Sequence, residues 1–185
     1  MSISRQNLTI VIVTFKSEEV IHDCINSIGN GIKIIVVENS NSLEFKNKIE
    51  KTYKNVECII STKNLGMGGG NNLGINLTKT DYVLILNPDV VLEESTIDEL
   101  FIASNLISNF TILAPISDNK NYPNYQTDND QEISKTKESL FEVKSVDGFA
   151  MLINKKKIDE TMNNKNQNYF DENFFMYLEN DDLCK

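Results

Sequence analysis

The first half of the chain alternates short apolar runs with segments of helical periodicity, and this alternation restricts the possible folds more than any other feature. Strand-like runs occupy residues 8–15, 33–37, 56–61 and 81–86. The first two are almost continuously aliphatic and β-branched, which is typical of strands buried on both faces of a parallel sheet. The sequence therefore predicts an α/β fold with a doubly wound, mostly parallel sheet and flanking helices.

Helices are predicted between these strands. Ser17 is a candidate N-cap for the first of them. Further helices are expected at residues 43–53, 72–77 and 95–108, and residues 63–71 are expected to form a glycine-rich loop.

The second half of the chain has a different composition. Residues 117–139 are polar with little apolar periodicity, which indicates an exposed excursion rather than a second domain. Strands are expected at 141–146 and 150–153, followed by a short helix at 158–162. A length of 185 residues suits a single domain. Because the chain ends within an uncapped helical pattern, we expect a C-terminally truncated domain, that is, a fragment of a longer chain.

Composition excludes several classes of function. The formal net charge of -9 argues against nucleic acid as a partner, because phosphate backbones bind cationic surfaces. Three cysteines without a CxxC pair and a single histidine argue against a zinc site and favour free thiols. The first apolar run is too short for a signal peptide or a membrane span, so we expect a cytoplasmic location.

Candidate functional residues follow the predicted strands, where ligands of such sheets bind. Glu38, Asn39 and Ser40 follow the second strand, and an acid there can accept hydrogen bonds from a ribose or a base N–H. The alternative is an ordinary turn built from an acid and Asn/Ser side chains.

The segment from Asn64 to Gly74 carries five of the eight glycines of the chain. Glycine allows a backbone to approach a ligand closely, and phosphates or sugars are commonly held between a strand and a helix. The segment lacks the GK[ST] sequence of a P-loop and the spacing of a dinucleotide fingerprint. The alternative is a tight turn in which glycine serves packing.

Two acidic sites complete the set. Proline in Asn87-Pro88-Asp89 ends the fourth strand, and Asp89 can bind Mg²⁺ or Mn²⁺ together with substrate phosphates, although such a sequence is also a common turn. Near the end of the chain, Glu179 and Asp182 are spaced to share a helix face, where one could act as a general base. The alternative is an acidic helix N-terminus that complements the helix dipole.

Taken in order, these segments resemble family-2 glycosyltransferases with the GT-A fold, and in particular their rhamnosyltransferase-like members. The resemblance spans nearly the whole chain and rests on residues 12–15 (IVTF), 36–40 (VVENS), 64–66 and 70–74 (NLG and GNNLG), 86–89 (LNPD), 147–153 (DGFAMLI) and 170–184. Each motif is weak alone, whereas six in one order are specific.

The resemblance implies a role for each site residue. Residues 1–115 would bind a nucleotide sugar and residues 140–185 would face the acceptor, with Asp89 contacting a divalent metal, Mg²⁺ or Mn²⁺. The implied donor-binding residues are Thr14, Phe15, Glu38, Asn39, Ser40, Asn64, Gly66, Asn71, Asn87, Asp89, Asp147 and Gly148. For them to act together, the ends of successive strands must converge on one pocket.

One departure from the family pattern concerns the base that deprotonates the acceptor. The family usually has Glu-Asp-x-Asp here, and its second position, often taken as the base, is Asn180 in this chain. A carboxamide cannot accept a proton at neutral pH. Glu179, Asp181 and Asp182 remain as catalytic candidates, with Glu179 slightly favoured.

The activity that the resemblance implies is inverting transfer of a hexosyl or rhamnosyl group from a dTDP- or UDP-linked donor to a glycan or lipid-linked acceptor, in cell-surface polysaccharide or glycolipid synthesis. The enzyme would act in the cytoplasm or at the inner face of the membrane, touching the membrane only through parts outside this chain. A sugar nucleotidyltransferase is disfavoured because residues 14–17 (TFKS) contain no glycine. A non-catalytic nucleotide-sugar-binding module is the alternative that Asn180 suggests.

Overall fold

The computed structural model describes residues 2–117, 119, 121, 123–127, 135–137, 140–162 and 168–185. The strands are β1 (Leu8–Thr14), β2 (Lys33–Glu38), β3 (Val56–Ile60), β4 (Tyr82–Leu86), β5 (Ile112–Leu113), β6 (Tyr125–Gln126), β7 (Lys135–Lys137), β8 (Leu140–Phe141), β9 (Ser145–Val146) and β10 (Ala150–Asn154). The helices are α1 (Ile21–Ile28), α2 (Leu43–Thr52), α3 (Gly66–Leu77), α4 (Thr96–Leu106), α5 (Lys155–Met162) and α6 (Glu179–Leu183).

The main sheet confirms the predicted α/β architecture. Its strand order is β3-β2-β1-β4-β10-β5, in which the first four strands are parallel and β10 is antiparallel to both β4 and β5. The chain builds outward from β1 through β2 to β3 and then crosses to β4 on the other side of β1. The order therefore reverses between β1 and β4, which is where open α/β sheets bind ligands.

Both faces of the central strands are buried, as the continuous apolar runs predicted. Along β1, Ile10 and Ile12 pack into one hydrophobic cluster while Val11 and Val13 pack into the other. Alternate side chains of a strand point to opposite faces, so a strand covered on both faces needs apolar residues at every position.

The start of α1 differs from the prediction. The helix begins at Ile21, and Ser17 lies in the preceding turn, where its carbonyl accepts hydrogen bonds from the N–H groups of Val20 and Ile21 at 3.2 and 3.1 Å. The Ser17 hydroxyl pairs instead with the backbone of Phe15. Ser17 is therefore a turn residue and not the N-cap.

The glycine-rich segment also differs from the prediction, because α3 begins at Gly66 and the expected loop at 63–71 is largely helical. A Cβ at Gly70 would lie 2.7 Å from Val13 Cγ1, and a Cβ at Gly74 would overlap Val11 Cγ1. The glycines thus let α3 pack directly on β1. This packing outweighs the low helix propensity of glycine.

The second half of the chain contributes to the sheet as well as to its surface. β9 pairs with β6, and β10 inserts between β4 and β5. The excursion expected to be exposed includes Asn124, which is 2% exposed and bridges Ser117 N–H and the Pro115 carbonyl. Among the described residues, no helix is long and apolar enough to cross a membrane.

Candidate functional site

An open cleft of roughly 730 Å³ lies where β1 and β4 end, at the reversal of strand order. Of the residues predicted from the sequence, those lining it are Phe15, Asn71, Asn87, Asp89, Asp147, Gly148 and Glu179. The remaining walls are mostly apolar and consist of Val13, Ser17, Val20, Met67, Pro88, Phe149, Phe170, Met176, Tyr177 and Asn180. Five separate parts of the sequence thus meet in this cleft.

Three polar oxygens in this cleft are buried without a hydrogen-bond partner: Asn71 Oδ1, Asn87 Oδ1 and Glu179 Oε2. They are the only such side-chain atoms in the part of the chain that the structure describes. Burying an unpaired polar atom costs about 1–3 kcal/mol, so a native protein retains one where something else satisfies it. All three accept hydrogen bonds, and a ligand that satisfies them must present O–H or N–H donors or a cation.

The turn after β4 is held rigidly. Asn87 N–H donates to the Phe149 carbonyl at 2.8 Å, and the Asn87 carbonyl accepts from Val90 N–H at 3.2 Å and from the Cys24 thiol at 3.4 Å. Burial, with a smaller contribution from the charge of Asp89, raises the pKa of the Cys24 thiol to about 12. Cys24 therefore remains a protonated donor that supports the turn from behind.

The charge of the cleft is entirely negative among the residues described. Asp89, Asp147 and Glu179 line it, and no Lys, Arg or His does. Burial raises the pKa of Asp147 above its ordinary value, and the nearby charge of Asp181 raises it further. An anionic ligand would be repelled here unless a cation accompanied it.

The turn after β4 has the chemistry of a shared cation site. The Asp89 carboxylate and the unpaired Asn87 Oδ1 are both oxygen ligands of the kind that Mg²⁺ and Mn²⁺ prefer. Among the described residues, no cluster of three or more His, Cys, Asp or Glu side chains could hold a metal unaided. These two ligands fit an ion that takes its remaining ligands from substrate phosphates and water.

Glu38 lies next to Thr14 in the sheet but does not face the cleft. It is 2% exposed, and its carboxylate accepts hydrogen bonds from Ser40 N–H (2.9 Å), Ser40 Oγ (2.5 Å) and Ser42 N–H (2.7 Å). Ser42 in turn caps α2 through Phe45 N–H. The carboxylate thus fixes the loop between β2 and α2.

Asn39 links that loop to the glycine-rich helix. Its Nδ2 donates to the Gly66 carbonyl at 3.0 Å, and its Oδ1 accepts from Ser61 Oγ at 2.9 Å. Asn64 Oδ1 accepts from Gly66 N–H at 3.0 Å. The other predicted site residues lie outside the cleft lining: Thr14, Glu38, Asn39, Ser40, Asn64, Gly66, Asp181 and Asp182. The first six are linked by hydrogen bonds among themselves, whereas Asp181 and Asp182 lie on α6.

Residues 174–178, here called the aromatic segment, contribute to the cleft two residues, Met176 and Tyr177, that are not among the predicted site residues. The Phe175 carbonyl accepts a hydrogen bond from Met67 N–H at 3.1 Å, and a Cβ at Gly66 would overlap that same carbonyl. Met176 and Tyr177 reach into the cleft. The sequence signal for this part of the cleft was the run FFMY at residues 174–177, shortly before the acidic helix α6.

The model of the family described as glycosyl transferase family 2 matches residues 9–176, from β1 to the aromatic segment. The match covers most of the chain and every residue that lines the cleft except Tyr177, Glu179 and Asn180. The chain belongs to glycosyl transferase family 2. Membership accounts for the shared order of the motifs.

Two curated proteins illustrate the similarity of this family-2 chain. It is 27% identical over 194 aligned residues to the low-salt glycan biosynthesis hexosyltransferase Agl10 of Haloferax volcanii, covering 96% of the chain and 60% of that protein. It is 33% identical over 92 residues to the poly(ribitol-phosphate) beta-glucosyltransferase of Bacillus spizizenii, covering 44% of the chain and 14% of that protein. The chain thus spans less than two thirds of the length of both relatives.

Solved structures agree on the fold of this family-2 domain. The mannosyltransferase PcManGT from Pyrobaculum calidifontis, in complex with GDP-Man and Mn²⁺, superposes with a TM-score of 0.68 at 10% identity, covering 96% of this chain and 50% of that one. S. aureus TarS 1-349 in complex with UDP gives 0.66 at 14% identity, covering 96% and 54%. The GT-A architecture expected from the sequence is therefore confirmed.

The position that departs from the family pattern has a structural role in this domain. Asn180 Nδ2 donates to the Val146 carbonyl at 2.9 Å, and its Cβ would lie 3.4 Å from a Cβ at Gly148. The carboxamide therefore ties α6 to the turn that carries Asp147. An aspartate at this position could not donate that hydrogen bond.

Proposed function

We propose that this chain forms the donor-binding and catalytic part of an inverting glycosyltransferase, which moves a sugar from a nucleoside-diphosphate sugar to an acceptor hydroxyl in glycan synthesis. One observation carries the proposal: unpaired acceptor oxygens of Asn71, Asn87 and Glu179 share a single cleft at the reversal of strand order. Sugar hydroxyls and a divalent cation are the partners that such acceptors require. Family membership and the nucleotide sugars bound by structural neighbours support the same ligand class.

The negative charge of the cleft implies a divalent cation for the diphosphate. Asp89 and Asn87 Oδ1 would hold Mg²⁺ or Mn²⁺. When bound, such an ion neutralises charge on the departing nucleoside diphosphate. The Mn²⁺ in the mannosyltransferase complex is consistent with this requirement.

Glu179 is the proposed base. Its Oε2 is buried, unpaired and within the cleft, whereas Asp181 and Asp182 do not line the cleft and Asn180 carries no carboxylate. Glu179 would take the proton of the acceptor hydroxyl as that oxygen forms its bond to the anomeric carbon. The bond from the anomeric carbon to the diphosphate breaks on the opposite face, which inverts the configuration.

The nucleotide would lie along the ends of β1 and β2, beside Thr14, Phe15 and Ser40. Glu38 and Asn39 would act there by fixing the loop backbone and its link to Asn64 and Gly66.

UDP or dTDP is the proposed nucleotide, and the complexes of TarS with UDP and UDP-GlcNAc favour a uridine donor. The similarity to the Haloferax hexosyltransferase favours transfer of a six-carbon sugar. We propose a cytoplasmic site of action, at the inner face of the membrane where the acceptor is lipid-linked.

A transfer assay on the intact protein tests this function. UDP-glucose, UDP-GlcNAc, GDP-mannose and dTDP-rhamnose are offered with Mn²⁺, and release of nucleoside diphosphate is followed with glycan acceptors present. Glu179→Gln should lower turnover about 100- to 10,000-fold while the donor still binds, because only the proton acceptor is lost. The matched control, Asp182→Asn, should retain activity. Equal turnover by Glu179→Gln and wild type would show that Glu179 is not the base. If the wild-type protein used none of the donors, the proposed function would be refuted.

A further inference from the structure

The aromatic segment is held firmly against α3 but exposes its side chains. The Phe175 carbonyl accepts a hydrogen bond from Met67 N–H. The next two residues line the cleft, where the exposed fraction is 50% for Met176 and 77% for Tyr177. Tyr177 and Leu178 have φ of 69° and 71°, a left-handed conformation that costs non-glycine residues about 1 kcal/mol or more each. Such strain persists where the surrounding structure enforces it, and it concentrates at ligand sites.

The position of this segment relative to Glu179 decides which substrate it meets. Tyr177 precedes Glu179 by two residues, and both line the same cleft. A group that removes a proton must lie within about 3 Å of the hydroxyl concerned. A molecule resting on Met176 and Tyr177 is therefore beside the base, on the acceptor side of the reaction.

The charges around the segment limit the kind of acceptor. Residues 170–184 carry Asp171, Glu172, Glu179, Asp181 and Asp182 and no Lys or Arg. Together with Asp89 and Asp147, which line the same cleft, these carboxylates repel a phosphate or a uronate brought to the same place. An uncharged acceptor has no such penalty.

A buried polar group on the cleft wall adds an independent sign of a hydroxyl-bearing ligand. Asn71 is 4% exposed, and its Oδ1 lacks a partner among the described residues while lining the cleft. A sugar ring has hydroxyls at its edge and an apolar C–H face. The cleft offers both complementary kinds of surface, namely the unpaired oxygens and the exposed apolar parts of Met176 and Tyr177.

We propose that Met176 and Tyr177 form an acceptor subsite that selects an uncharged sugar, with its C–H face on Tyr177 and a hydroxyl directed to Glu179. The proposal rests on the proposed function, because it takes Glu179 as the base. Tyr177 determines specificity here and takes no part in proton transfer.

Ligand-observed NMR on the intact protein tests the subsite. Saturation-transfer experiments with UDP and Mn²⁺ present are run with methyl glucoside, methyl mannoside and methyl N-acetylglucosaminide as neutral probes, and with glucuronate and glycerol phosphate as anionic probes. The proteins compared are wild type, Tyr177→Ala, Tyr177→Phe and Leu43→Ala. Leu43 is a matched exposed apolar residue, 62% exposed on α2 and outside the cleft.

At least one neutral glycoside should bind, and Tyr177→Ala should weaken that binding about tenfold, or ~1.4 kcal/mol. Tyr177→Phe keeps the ring and should bind within about twofold of wild type, as should Leu43→Ala, and anionic probes should bind more weakly than neutral ones. Unchanged glycoside binding in Tyr177→Ala, preferential binding of anionic probes, or binding of no glycoside would overturn the subsite. UDP binding is measured in the same samples. Failure of the wild-type protein to bind UDP would count against the proposed function and not against the subsite.

Discussion

At the scale of single residues, the buried carboxylate of Glu38 shows how a motif residue can serve a site without touching the ligand. Glu38 accepts three hydrogen bonds from Ser40 and Ser42, and these bonds fix the loop that begins α2. A carboxylate buried to 2% exposure is tolerated because donors surround it. The fixed loop keeps the end of β2 in place beside β1.

Replacing Glu38 by alanine should lower the free energy of unfolding by about 2–3 kcal/mol, because the N–H groups of Ser40 and Ser42 lose their partner. Urea denaturation followed by circular dichroism measures the change. Glu57→Ala is the matched control, since Glu57 forms an exposed ion pair with Lys33 and should cost less than about 1 kcal/mol. Equal losses in the two variants would show that the Glu38 hydrogen bonds contribute little to stability.

At the scale of elements, the sequence predicted the parallel core well and α3 poorly. Buried strands such as β1 and β2 can be predicted from their continuous apolar runs, because both of their faces are covered. Helix α3 was expected to start near Asn72, since local propensity places glycine in loops. What fixes its true start at Gly66 is the close approach of α3 to β1 and to the aromatic segment, which local sequence does not reveal.

The same limit applies to the site. The end of a parallel strand identified Asn87 and Asp89 as candidates for the cleft, because parallel strands end at one edge of a sheet, whereas Asp147 was implied only by the resemblance to family-2 glycosyltransferases. The direction of Glu38 depends on hydrogen bonds to Ser40 and Ser42 of its own loop, and the entry of Tyr177 into the cleft depends on the hydrogen bond that joins Phe175 to the distant Met67. Such contacts cannot be read from spacing alone.

Gly74→Ala tests whether packing governs α3. Alanine favours helices by about 1 kcal/mol over glycine, yet a Cβ here overlaps Val11 Cγ1, so we expect a net loss of about 1–3 kcal/mol. Chemical denaturation gives the difference. Asn76→Ala, at an exposed position of the same helix, should be neutral or slightly stabilising. A stabilised Gly74→Ala protein would mean that α3 does not pack on β1 as described.

At the scale of the whole molecule, topology unites residues that lie far apart in the sequence. The reversal of strand order between β1 and β4 opens a cleft that α3, the turn after β4, the turn before β10 and the aromatic segment all border. Its negative lining and unpaired oxygens are complementary to a cation and to hydroxyl groups. The central claim is that this cleft binds a nucleoside-diphosphate sugar together with a divalent ion.

Isothermal titration of UDP and GDP into the protein, with Mn²⁺ and again with EDTA, tests that claim most directly. The account predicts that at least one nucleotide binds only with Mn²⁺ and that Asp89→Ala weakens this binding by at least about tenfold, or ~1.4 kcal/mol. Glu93→Ala, which removes an exposed acid outside the cleft, should leave the affinity unchanged. The claim would be contradicted if nucleotide affinity were the same with EDTA as with Mn²⁺, if it were the same in Asp89→Ala as in wild type, or if neither nucleotide bound.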